Sequence, residues 1–182
     1  MQINETPIDG TFMVEIERRE DERGFFARTW DAVAFAAVGI DVAVAEASVS
    51  YNRRVGTLRG LHFQADPAAE TKLVRCTSGA IYDVVADLRE SSPSYLRWHA
   101  VRLDADKRNA FLVPPGVAHG FQTLCDDSEV EYLISVPYVA DLSRGVRWDD
   151  TELGIQWPML PSIMSARDRG LPTVQDYLGG RS

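Results

Sequence analysis

The stretch Gly56-Thr57-Leu58-Arg59-Gly60-Leu61-His62-Phe63-Gln64, followed by Thr71-Lys72-Leu73-Val74-Arg75-Cys76, sets an arginine, a histidine and a lysine among apolar, strand-forming neighbours. Successive side chains of a strand point to opposite faces. Alternation therefore predicts Arg59, Leu61 and Phe63 on one face and His62 on the other. In the second segment Lys72 and Val74 share a face, with Leu73 and Arg75 opposite. A cation on a strand is ordinarily a solvated edge group. Here the run is rich in Gly and Leu, as an interior strand is, and the ionisable types are complementary. His62 is a base candidate, and Lys72 and Arg59 suit negative charge.

The flanking sequence repeats the pattern of short strands and turns. Phe12, Val14 and Ile16 alternate with Met13, Glu15 and Glu17, and a polar turn precedes a strand over Phe25–Trp30. Asp31 is placed to cap a short helix through Ala32–Ala37, ended by Gly39. Further strands are expected at 43–51, 81–88, 96–103, 110–113, 119–124 and 129–136, with turn signals such as Ser91-Ser92-Pro93-Ser94 and Pro114-Pro115-Gly116 between them. Many short strands with almost no helix predict an all-β sandwich or jelly-roll barrel. After Asp141 the chain turns irregular and rich in Trp and Pro, and reads as a tail packed on the barrel.

With 182 residues, 45% of them hydrophobic, the chain suits a single domain over 1–182 with a full-sized core. The polar start carries no secretory signal, and no apolar run is long enough to span a bilayer. Cys76 and Cys125 then read as reduced core thiols in a cytoplasmic protein. A net charge of −8 disfavours general nucleic-acid binding. Against that background Arg53, Arg54, Arg59, Lys72 and Arg75 form a local basic cluster suited to a compact anion such as a diphosphate, although at least two of the five are expected to be ordinary surface residues.

Other candidates for chemistry lie on neighbouring strands. His119 follows Pro115-Gly116-Val117-Ala118 at a strand start, much like the second half of a metal-binding cupin. The first half lacks its second histidine, and two histidines without a third ligand make a poor first-row metal site. Tyr132, mid-strand, is a core tyrosine or a phenol able to work opposite an imidazole. Tyr138, after Pro137, either packs or stacks on a base. Asp83 and Asp168 are the two carboxylates able to hold the His62 ring. By itself Asp168 reads as a helix-capping or surface acid.

Together these blocks resemble the dTDP-4-dehydrorhamnose 3,5-epimerases. The likeness covers Asp21-Glu22-Arg23-Gly24-Phe25-Phe26, Leu58–Gln64, Lys72–Cys76, Asp83-Val84-Val85, Ser92-Pro93-Ser94-Tyr95, Pro115–Phe121, Tyr132, Tyr138, Gly145-Val146-Arg147-Trp148-Asp149-Asp150 and Ile155-Gln156-Trp157-Pro158. The resemblance implies a cupin-type jelly-roll β-sandwich or barrel with short peripheral helices. It implies a homodimer whose site is completed by the partner chain, no metal and no organic cofactor, and a nucleotide-sugar substrate. It also implies His62 as base, supported by Asp168 or Asp83, Tyr132 as proton donor, and Lys72 as the group stabilising the enolate oxygen. Arg59 and His119 would contact the diphosphate and sugar, Arg23 would reach a partner's phosphate, Tyr138 would stack on the base, and Phe26 would join the substrate contacts. Four nucleotide-side positions depart from the family pattern. Arg28 stands where members show Glu, Glu46 and Ser48 where they show Gln and Asn, and Ser143 where they show Glu. These departures suggest that the base or the sugar differs. The alternatives are epimerisation at carbon 3 only, a different nucleoside-diphosphate 4-keto sugar, and a non-catalytic jelly roll that binds nucleotide sugars.

Overall fold

A computed structural model describes residues 1–41 and 43–180. In chain order its strands are β1 (Gln2–Glu5), β2 (Phe12–Glu15), β3 (Arg19–Asp21), β4 (Gly24–Phe26), β5 (Glu46–Asn52), β6 (Leu58–Gln64), β7 (Lys72–Ser78), β8 (Ala80–Asp87), β9 (Trp98–Asp104), β10 (Ala110–Val113), β11 (Val117–Thr123), β12 (Ser128–Ile134) and β13 (Ser143–Gly145). A six-stranded sheet has the order β1-β2-β10-β7-β12-β5, and a five-stranded sheet the order β13-β6-β11-β8-β9. All ladders in both are antiparallel. The strands β3 and β4 form a separate hairpin. The helices α1 (Ala32–Ala36), α2 (Ala166–Arg169) and α3 (Val174–Gly179) are short. This is the cupin-type jelly roll with peripheral helices expected from the sequence.

Alternation explains the layering. Val74, Ile81, Val85, Phe111, Phe121 and Val130 point between the sheets and form the central core. On the outer side of the six-stranded sheet, Leu73 and Leu112 pack with Phe35 of α1. That helix starts where Asp31 accepts the N–H groups of Val33 and Ala34, as its capping position predicts. The outer side of the five-stranded sheet, with Leu61, Phe63, Val84 and Ala86, is covered by Val146, Leu153, Ile155 and Val174 of the C-terminal segment. That segment is not only a packed tail. It adds β13 to the sheet beside β6 and carries α2 to the site. The second N-terminal strand is also shorter than expected, ending at Phe26 rather than Trp30.

Simple alternation fails on β6. His119 pairs with His62 and Phe121 with Arg59, so two steps along β11 face three along β6. The extra residue is a bulge, and it reverses the side-chain parity. Arg59 and His62, expected on opposite faces, therefore line the same cavity. The bulge requires glycine on both strands. Gly60 has φ +127, and a Cβ there would lie 2.6 Å from the Gly120 Cα. A Cβ on Gly120 would lie 2.7 Å from the Arg59 carbonyl oxygen. Gly120→Ala is expected to destabilise the fold by about 1–3 kcal/mol, read as a lowered urea midpoint. An unchanged midpoint would show that the two backbones can separate freely.

Candidate active site

The inward rows that build the core also build the site. On β7 the row of Val74 continues to Lys72, on β12 that of Val130 continues to Tyr132, and on β11 that of Phe121 continues to His119. At this end of the sandwich a cavity of about 630 Å³ opens between the sheets, within the range of small-molecule sites. Its lining includes Arg59, His62, Lys72, His119, Tyr132, Tyr138 and Asp168.

The two carboxylates divide between the two histidines. His62 Nε2 lies 2.7 Å from Asp168 Oδ1, whereas His119 Nε2 lies 2.8 Å from Asp83 Oδ1. Of the two candidates for supporting His62, Asp168 is therefore the partner, and Asp83 belongs to His119. Asp168 is nearly buried and is not the helix cap. Ser165 caps α2, its Oγ accepting the Asp168 N–H at 3.0 Å. The turn holds the carboxylate against β6, where its second oxygen accepts the Gly60 N–H at 3.4 Å. Burial works to raise the Asp168 carboxyl, but the His62 contact and the Gly60 and Ser165 bonds outweigh it and hold it below the usual carboxylate range. Asp83 is fully buried. Burial pushes its carboxyl up against the opposing pull of His119 and Lys72. Its Oδ2 has no hydrogen-bond partner among the described residues.

The Tyr132 ring meets the His119 ring edge-on, with centroids 6.1 Å apart. Burial, and then the Asp83 carboxylate, raise the Tyr132 phenol far above its ordinary value, with Arg59 opposing. The phenol thus keeps its proton at any ordinary pH. Lys72 is fixed by Glu70, 2.7 Å away, and its Nζ also donates to the His62 carbonyl at 3.3 Å. The Arg59 Nε donates to the Asn52 side chain at 2.8 Å, which leaves its guanidinium exposed at the cavity.

Of the five basic residues expected to cluster, only Arg59 and Lys72 reach the cavity. Arg53 is exposed, Arg54 faces Asp126, and Arg75 lies on the outer sheet face with Glu131. The nucleotide-side positions also divide. Glu46, Tyr138 and Ser143 line the cavity. Glu46 accepts the Tyr138 N–H at 3.2 Å, and Ser143 Oγ accepts from Arg167 at 2.6 Å. Ser48, opposite Tyr132 in the ladder, is exposed and outside the lining. Arg23, Phe26 and Arg28 are not at the cavity of their own chain. The Arg23 side chain is 84% exposed on the β3–β4 hairpin and pairs with Asp21. Phe26 is 68% exposed, and Arg28 pairs with Asp31 at the start of α1. Sequence reading missed Glu70, Gln64, Ser50 and Arg167, all in the lining. Only the spacing of Glu70, two residues before Lys72, offered a signal. Among the described residues no group of three or more His, Cys, Asp or Glu side chains is arranged to hold a metal ion.

A base and an acid that share one cavity with a fixed ammonium suit proton transfer beside a carbonyl, the chemistry of an isomerase. Comparison with known proteins agrees. A family model for dTDP-4-dehydrorhamnose 3,5-epimerase matches residues 5–176. The dTDP-4-dehydrorhamnose 3,5-epimerase of Sinorhizobium fredii is 39% identical over 85% of this chain and 80% of its own length. The crystal structure of the Bacillus anthracis enzyme of that name, with TDP and pyrophosphate bound, superposes with a TM-score of 0.91 at 41% identity, covering 94% of this chain and 98% of that one. ChmJ, a 3'-monoepimerase from Streptomyces bikiniensis in complex with dTDP-quinovose, gives 0.89 at 33% identity, covering 97% and 90%. The chain belongs to the dTDP-4-dehydrorhamnose 3,5-epimerase family.

Proposed function

We propose that the protein inverts carbons 3 and 5 of a 4-keto-6-deoxyhexose carried on a nucleoside diphosphate, of the dTDP-4-dehydrorhamnose type. One observation carries this reading: the base and the acid come from opposite sheets of one cavity. His62, set by Asp168, projects from the five-stranded sheet, and Tyr132 from the six-stranded sheet. A ring held between them loses a proton on one side and gains one on the other, which inverts the carbon. The ketone at carbon 4 acidifies both neighbouring C–H bonds. His62 takes the proton, Lys72 stabilises the enolate oxygen, and Tyr132 returns a proton to the opposite face. One such preorganised donor contributes about 2.7–4 kcal/mol. The buried His119–Asp83 pair and Arg59 would hold sugar and diphosphate, and Tyr138 would stack on the base.

The exposed β3–β4 hairpin supports a shared site in a homodimer, since Arg23 and Phe26 have no role in their own chain's cavity. Edge strand β5, which leaves Val49 and Tyr51 exposed, offers a surface for the second chain. A cytoplasmic setting fits the two free thiols. The test is product analysis by NMR, with dTDP-4-keto-6-deoxyglucose offered first and its GDP, CDP and UDP counterparts next. Inversion at both carbons is expected. Inversion at carbon 3 alone, or no conversion of any, contradicts the reading. Glu46 and Ser143 are the wall positions at which a different base would be read. Calorimetry of dTDP beside the other nucleoside diphosphates tests this: rejection of dTDP with another accepted would make these departures a change of specificity. Equal affinities would mean that these departures carry no specificity.

A further inference from the structure

We propose that Glu70 is a positioning residue that keeps Lys72 charged and fixed for the reaction. The inference rests on the enolate-stabilising role given to Lys72 above. Glu70 lies in the turn before β7, and its side chain is 4% exposed. Both carboxylate oxygens accept the Gln64 N–H of β6, at 3.2 and 2.9 Å. One of them also lies 2.7 Å from the Lys72 ammonium, whose side chain is 12% exposed. Glu70 thus ties the ammonium to the strand that carries His62. The Lys72 Nζ has three protons. Glu70 takes one and the His62 carbonyl another, at 3.3 Å. One is left for a ligand in the cavity.

The surrounding charges single out Glu70. His62 and His119 from the five-stranded sheet and Tyr132 from β12 line the same cavity as Lys72. Of the other carboxylates around the cavity, Asp83 of β8 interacts with Lys72 but is bonded to His119, Asp168 is bonded to His62, and Glu46 of β5 accepts the Tyr138 N–H. Glu70 is therefore the direct counter-charge. A buried ammonium without one gives up its proton more readily, and a neutral amine no longer stabilises an enolate as a cation does.

Glu70→Gln keeps the size and one acceptor oxygen but removes the charge. The chain has two lysines, Lys72 and the exposed Lys107, so protein labelled with carbon-13 at lysine Cε yields two resonances and an internal reference. The Lys72 titration is expected to move down by about 1–3 pH units in the variant, with Lys107 unmoved. The alkaline limb of kcat should follow it, while KM changes little. Glu70→Asp, which retains the charge, should keep the wild-type limb. An unmoved Lys72 titration, or a limb displaced equally in both variants, overturns the inference and leaves Glu70 a packing role. Wild-type protein that exchanges no substrate protons overturns instead the reading on which the inference rests.

Discussion

His62→Ala is expected to lose solvent exchange at both sugar carbons together. In the proposed reaction one imidazole serves the cavity as base, and its Asp168 partner is 2.7 Å away. The second imidazole, His119, is buried and already bonded to Asp83, so it is not free to substitute. The loss should be about 100- to 10,000-fold in rate, the usual contribution of a positioned base. Nucleotide affinity should stay near that of the wild type, because Arg59 and Tyr138 are untouched. The measurement is deuterium incorporation from heavy water alongside calorimetry. Retained exchange at either carbon would require a second base and would remove His62 from its role. Asp168→Asn should weaken the same step less severely, since it leaves the ring in place without its carboxylate.

Tyr132→Phe is expected to separate the two halves of the reaction. The phenol stays protonated through burial and the nearby Asp83 charge, so it can donate but cannot serve as a base near neutral pH. Removing its hydroxyl should spare abstraction by His62 and cripple reprotonation of the opposite face. Exchange should then outrun net inversion, with protons returned from the side they left. The ratio of washed-in deuterium to epimerised product, followed by NMR, should rise well above that of the wild type. Equal and complete loss of both would argue that Tyr132 shapes the cavity rather than donates.

Much of this was legible in the strand pattern. Lys72, His119 and Tyr132 stand out because each interrupts an inward apolar row, with Val74, Phe121 and Val130 as their row-mates. Strand periodicity reports such interruptions directly. It could not report that Arg59 and His62 share a face. The β6 bulge depends on how Gly60 meets Gly120 on another strand, which is a pairing property and not a local one. The partner of His62 was equally out of reach of local reasoning. Asp168 lies 106 residues further along the chain and arrives on a one-turn helix of the C-terminal segment. Asp83 sits on an inward row too, but one strand further from β6, where His119 takes it. Glu70 drew no reading from the sequence, because only the fold buries it against Gln64 and Lys72. Arg23, Phe26 and Arg28 lie away from the cavity of their own chain, so the substrate contacts that the family pattern suggests for them rest on the proposed second chain.

In the proposed reaction, base and acid act from opposite sheets on one 4-keto sugar. The most direct test is to incubate the wild-type protein in heavy water with saturating dTDP-4-keto-6-deoxyglucose and read the product by mass and NMR. One deuterium is expected at carbon 3 and one at carbon 5, each on an inverted centre. Deuterium at carbon 3 alone, deuterium without inversion, or none at all would contradict it.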